Sequence, residues 1–192
     1  MSNVCIVSYI CEAEKTQLAE LDEALETLKN KPMPLVDNDW GNMWLGCVIK
    51  QLGGDWHNHQ CRGSVLDFGI NGNGTFSIEQ QTAWQEQCEF RRFLEQRFPG
   101  LKVYFREVEP ALGNIGTNDG EGKYFPERYF LETSECLHYY QSIEEAADAV
   151  STILGYKVLP DFDDISDALS DFADECGGEE SFVHFLQITI EE

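Results

Sequence analysis

Leucines at 18, 21, 25 and 28 recur every three or four residues, which predicts an amphipathic helix over 13–29 with one buried stripe. Residues 3–11 before it read as a buried first strand. "NKPMP" closes the helix, because proline lacks an amide donor and disfavours helix in the residue it follows. Met43, Trp44, Cys47, Val48 and Leu52 repeat at helical spacing and predict a second helix over 42–52, stopped by "GGD". From Cys61 the period drops to two. Leu66, Phe68 and Ile70 alternate on one strand, Phe76 and Ile78 on the next, and "NGNG" between them supplies residues that tolerate positive φ in a tight hairpin. A helix over 83–98 ending at "PG" comes next, then a strand "LKVYFREVE" to Glu109. A loop to about Gly122 leads into a strand "KYFPERYFLE", in which Pro126 points to an edge or a bulge.

Ser142 with Glu145 three residues later is a capping box, opening a helix whose Ile143, Ala146, Ala147, Val150 and Ile153 are expected to face inward. A further helix over 161–176 places Phe162, Ile165, Leu169 and Phe172 inside and its aspartates outside, and "SFVHFLQITI" closes as a strand. Strands and helices do not alternate regularly, so the pattern predicts an antiparallel α+β fold rather than a doubly wound sheet. A split strand-helix-strand unit of ferredoxin-like type is expected at its core. The expected division is a ferredoxin-like core over 1–135 and an acidic helix-helix-strand extension over 136–192, packed on the same domain.

Three stretches carry a family resemblance: "QTAW" at 81–84, "FREVEP" at 105–110 and "GTNDGEGKYFPERY" at 116–129. Together they resemble the YubB-type ferredoxin-like domain family, bacterial proteins associated with plasmids, phages and conjugative elements, over residues 40–135. The resemblance implies helices packed on an antiparallel sheet and a mobile-element setting, and it implies no activity. "EVEPALG" departs from the family pattern, where two adjacent acids and a proline-glycine step are expected, so the turn after Glu109 is expected to be longer.

A chain of 192 residues with 42% hydrophobic and 12% aromatic content has enough apolar side chains for a core. The apolar start "VCIVSYIC" is short, follows no basic residue and runs into "EAEKTQ", unlike a secretion signal. No apolar run reaches the roughly 18 residues of a membrane helix. The seven cysteines (5, 11, 47, 61, 88, 136 and 176) are scattered without a CxxC, which fits a reducing, cytoplasmic setting better than a disulfide framework. Charge changes the picture most. Of a formal net charge of −22, fifteen negative charges fall in residues 129–192, where sixteen acids face the single Lys157. Such a surface repels phosphates and anionic lipid and favours a protein partner with a basic surface.

Candidate chemistry is weighed on that background. In the loop, Asn118, Asp119, Lys123, Tyr124, Phe125, Arg128 and Tyr129 combine turn residues with aromatics and two cations, the composition of a partner-binding surface. Alternation along a strand would put Phe125, Glu127 and Tyr129 on one face and Tyr124, Pro126, Arg128 and Phe130 on the other. The loop fails as a calcium site, because Lys123 and Tyr124 stand fifth and sixth from Asp119, where an EF-hand needs an oxygen ligand and glycine. On the acidic helix, Asp164, Asp167, Asp171 and Asp174 form a carboxylate stripe that could stand in for phosphates toward a basic partner, or simply face water. His57, His59 and Cys61 would point one way from an extended backbone and form a zinc-competent set, although their spacing is not that of a common structural site. No nucleophile elbow, Walker loop, dinucleotide fingerprint or aromatic RNP run occurs. The expectation is therefore a non-catalytic protein-interaction module with no cofactor. The alternative is a ligand-binding or metal-binding enzyme with its site near Glu107, Glu109, Asp119, His57, His59 and Cys61.

Overall fold

A computed structural model describes residues 4–109, 113–133, 137–175 and 184–191. Residues 110–112 of the "EVEPALG" step, together with Cys136 and Cys176, lie outside the described residues. The chain is a mixed α+β protein that divides into two compact units, 1–114 and 115–192, so the expected boundary at 135 falls inside the second.

The first unit is built on strands β1 (Val4–Glu12), β2 (Gly63–Ile70), β3 (Phe76–Ala83) and β4 (Lys102–Glu109). Their spatial order is β2-β3-β1-β4, with every neighbouring pair antiparallel. Helix α1 (Lys15–Lys29) buries Leu18, Leu21, Leu25 and Leu28 on the spacing the sequence predicts, each worth about 1.5–3 kcal/mol by the apolar area it removes from water. They join Cys5, Val7, Tyr9 and Cys11 of β1 and Phe90 and Leu94 of α3 (Cys88–Arg97) in one core.

Three local expectations shift. Helix α2 (Leu45–Gln51) starts three residues later than the apolar spacing suggests, because Trp44 takes an extended backbone and bridges to Ser64 of β2. Helix α3 starts at Cys88 instead of 83, because "QTA" continues β3 to Ala83. On β2 a bulge between Val65 and Asp67 resets the alternation, so Val65 and Phe68 join the core while Leu66 and Ile70 are exposed. The "NGNG" hairpin forms as expected. Gly74 supplies its positive φ of 82°, and the Gly74 N–H donates to the Asn71 carbonyl at 2.9 Å.

The second unit holds β5 (Asn114–Thr117), paired in parallel with β9 (Thr189–Ile190), and a separate antiparallel sheet. In that sheet β6 (Tyr129–Glu132) lies between β7 (Leu137–Tyr140) and β8 (His184–Gln187). Helix α4 (Ile143–Leu154) begins at the Ser142 cap, whose hydroxyl accepts the Glu145 N–H at 3.3 Å. Its Ala146, Ala147 and Val150 pack with Leu131, Phe185 and the Ile165 and Leu169 of α5 (Phe162–Glu175) in a second core. Ile153, expected inside, is exposed, and so is Phe162 at the first turn of α5. The strand expected over 123–132 shortens to β6, because an internally bonded loop occupies 118–128. Among the described residues the five cysteines 5, 11, 47, 61 and 88 are free thiols, and no helix is long and apolar enough to cross a membrane.

Candidate functional site

All four tryptophans of the chain gather in one region of the first unit. Trp40, Trp44 and Trp84 line a cleft of about 630 Å³, within the size range of small-molecule sites, and Trp56 meets Trp44 edge-on at 5.1 Å between ring centroids. Each tryptophan is placed by a local device, at its backbone for Trp40 and Trp84 and at its ring for Trp44. The Asn38 side-chain oxygen accepts the Trp40 N–H at 2.6 Å, an Asx-type turn that fixes the backbone from which Trp40 projects. The Trp44 Nε1–H donates to the Cys61 carbonyl at 2.6 Å, which anchors the ring to the segment leading into β2. The Trp44 ring also lies so close over Gly46 that a Cβ there would sit 2.3 Å from its Cζ3, so this close approach requires glycine.

Trp84 follows the last residue of β3 and is the one non-glycine residue with positive φ, at 79°, among the described residues. For a bulky side chain that conformation costs about 1–3 kcal/mol, and such outliers persist where surrounding structure holds them. Its carbonyl accepts the Asn114 Nδ2–H at 3.1 Å. The result is an indole left 48% exposed beside Trp40, itself 53% exposed. Asp37, Asp39 and Arg62 are exposed residues of the same cleft lining. Cys61 also lines it; burial first, then the nearby Glu89 and Cys47, push its thiol up to about 11.

Of the sequence candidates, only Cys61 reaches this cleft. His57 and His59 diverge, because residues 56–58 form a short 3-10 turn instead of the extended backbone that would align them. His57 Nδ1 meets the Asp55 carboxylate at 2.7 Å and its ring stacks on Trp56, whereas the His59 ring meets the edge of Phe93. Among the described residues no three His, Cys, Asp or Glu side chains gather as metal ligands.

Glu107 and Glu109 are 3% and 2% exposed on the core side of β4. The Glu107 carboxylate accepts the Glu86 N–H, and the Glu86 carboxylate accepts the Tyr9 hydroxyl and, at 3.1 Å, the Arg91 Nε–H. Burial and the Glu86 charge together hold the Tyr9 hydroxyl well above its ordinary pKa. The Arg91 guanidinium sits 4.8 Å over the Phe105 ring. With Tyr9 fully buried and Glu86 5% exposed, these groups brace the start of α3 against the sheet.

The loop at 117–130 is braced by its own side chains. Asp119, 1% exposed, accepts the N–H groups of Lys123 at 3.0 Å, Tyr124 at 2.6 Å and Phe125 at 2.8 Å. Burial pushes the Asp119 carboxyl up, but those three donors and the Arg128 charge outweigh it and hold it below the ordinary carboxylate range. Arg128 donates to the carbonyls of Asp119, Gly120, Phe125 and Glu127 at 2.8–3.2 Å. Phe125 is buried, Lys123 is exposed with its Nζ 5.1 Å above the Tyr124 ring, and Asn118, Tyr124 and Tyr129 are half-buried. Tyr129 stacks on Phe185 of the second core. Residues 123–128 are not a strand, so the two-faced alternation does not apply there. On α5, Asp164, Asp167, Asp171 and Asp174 are all exposed.

The cleft escaped the sequence reading because its indoles come from three separated segments. The available signal was the concentration of every tryptophan between 40 and 84, with acids at 37 and 39 beside the first.

The fold and site thus define a mixed α+β protein with a tryptophan-lined cleft on its first unit. No family model matches the chain, and no curated protein matches it. A solved structure described as an unknown protein from Galdieria sulphuraria aligns over 97% of this chain and 99% of its own at 13% identity, with a TM-score of 0.23. A likeness at that level carries no argument about fold or function.

Proposed function

We propose that this protein is a non-catalytic binding module whose working surface is the tryptophan-lined cleft. The observation that carries the reading is the pair of half-exposed indoles, Trp40 and Trp84, one of them on a strained backbone, converging with Trp44 on a single concavity. Exposed aromatic surface and a positive φ both oppose folding, and a site that recognises a ligand by its apolar walls accounts for both.

The first unit is read as ferredoxin-like. That reading is supported by the order β2-β3-β1-β4, antiparallel throughout, with helices α1 and α3 among the links from β1 to β2 and from β3 to β4, as expected of a split strand-helix-strand pair. "QTAW", which resembles the YubB-type family, ends on Trp84, and a mobile-element setting follows from that resemblance alone. A second reading assigns partner binding to the exposed aspartate stripe of α5, which suits a protein with a basic surface.

The test is a two-dimensional NMR titration of the full chain with small cationic, neutral and anionic organic probes, following the indole N–H signals. Specific shifts of the Trp40, Trp44 and Trp84 signals, lost in Trp84→Leu, are expected. Probes that move none of them at millimolar concentration would refute the cleft as a binding site.

A further inference from the structure

The geometry points to a small organic cation of the alkylammonium class as the occupant of the cleft. This inference rests on the cleft being the binding site and adds the chemistry of what it takes. Three indoles line one concavity, and an indole presents the strongest attractive π-face of any side chain to a weakly hydrated cation. Asp37 and Asp39 line the same cleft and add two negative charges, while Arg62 adds one positive charge. The lining side chains therefore carry a net charge of minus one, within a chain whose formal net charge is −22. An anion would meet Arg62 but also two carboxylates and the negative faces of the indoles. A neutral apolar ligand would use the indoles and leave the aspartates without a role. A cation with methyl groups on nitrogen uses both, because its charge is spread over apolar surface that indoles can cover without a large dehydration cost. Arg62 opposes a second positive charge, so the ligand is expected to carry one.

Rigidity supports the same reading. The Trp44 ring is held by its Nε1 bond to the Cys61 carbonyl, by the edge of Trp56 and by contact with Gly46, and the Asn38 turn fixes the backbone of Trp40. A preformed Trp44 wall spares the ordering cost that a mobile ring would incur there on binding.

The experiment compares choline with dimethylbutanol, its uncharged carbon isostere, and with butyrate, using the intrinsic fluorescence of the full chain. Because three of the four tryptophans line the cleft and the fourth touches one of them, emission reports on this site directly. Choline is expected to bind about ten-fold tighter than dimethylbutanol, the ratio that about 1.4 kcal/mol of cation–π attraction gives. Asp37→Asn with Asp39→Asn changes exposed residues and preserves shape, so the doubly substituted chain is expected to fold. It should weaken choline about three-fold and leave dimethylbutanol unchanged. Equal binding of choline and dimethylbutanol, or tighter binding of butyrate, would overturn the cationic ligand while leaving the cleft as a site. No binding of any of the three would overturn both. A concentration-dependent homodimer that Trp84→Leu dissociates would reassign the indoles to self-association and also overturn the inference.

Discussion

Replacing Asp119 by asparagine keeps the shape of the side chain and removes its charge, which isolates what that carboxylate does for the loop at 117–130. Oδ2 accepts from Tyr124 N–H and Phe125 N–H, and Oδ1 accepts from Lys123 N–H. In the asparagine variant one of these oxygens becomes an NH2 group, so at least one backbone donor faces another donor in a site that is 1% exposed. The remaining bonds lose their charge assistance. A hydrogen bond to a charged group contributes about 1.5–3 kcal/mol, and a buried donor left unsatisfied costs about 1–3 kcal/mol, so a loss of about 3 kcal/mol is expected. Urea denaturation followed by far-ultraviolet circular dichroism measures it, with amide hydrogen exchange at Lys123, Tyr124 and Phe125 as the local readout. The pH dependence has a definite sign. The folded carboxyl lies below its ordinary value, so its contribution is complete above about pH 4, the unfolded range, and is lost as pH falls through the folded value. The gap between the native protein and Asp119→Asn should therefore close on acidification. A gap under about 1 kcal/mol near neutral pH, or one that stays constant down to about pH 2, would refute the account of this loop.

Two further outcomes test the architecture around the sites. Gly46→Ala gains about 1 kcal/mol of helix propensity but drives a methyl into the Trp44 ring, where overpacking costs about 1–3 kcal/mol; a net loss of stability and a shifted tryptophan emission are expected, and a stabilised chain with unchanged emission would contradict the close approach. Asp174→Lys should raise the urea midpoint, because α5 has acids in its first turn, no base in its last, and Asp171 three residues away; a lowered midpoint would mean that Asp174 has a structural role beyond facing water.

Periodicity made much of the fold legible. The stripe of α1, the capping box of α4, the "NGNG" hairpin and the strand ending at Glu109 are all local features, governed by spacing and turn chemistry within a few residues of one another. The same local reasoning misplaced the start of α3 and the outward side of Leu66, where pairing with a neighbouring strand overrode the apolar pattern. The loop residues were identified as a group, but their hydrogen bonds were not. Whether Asp119 faces solvent or backbone N–H groups depends on how residues 120–125 turn back over it, which composition does not encode.

The sequence by itself determined the α+β class, the acidic balance and the positions of most helices, because those follow from period, charge and caps along one segment. Only the tertiary structure decided that three distant indoles meet in one cleft. Trp40, Trp44 and Trp84 belong to a turn, a helix cap and a strand end, and no local rule relates them. They meet because β2 pairs with β3, because Trp44 bridges to β2 and anchors on Cys61, and because Trp84 accepts a strained backbone at the end of β3. Contacts between distant segments depend on strand order and register, and these are set by the packing of the whole first unit.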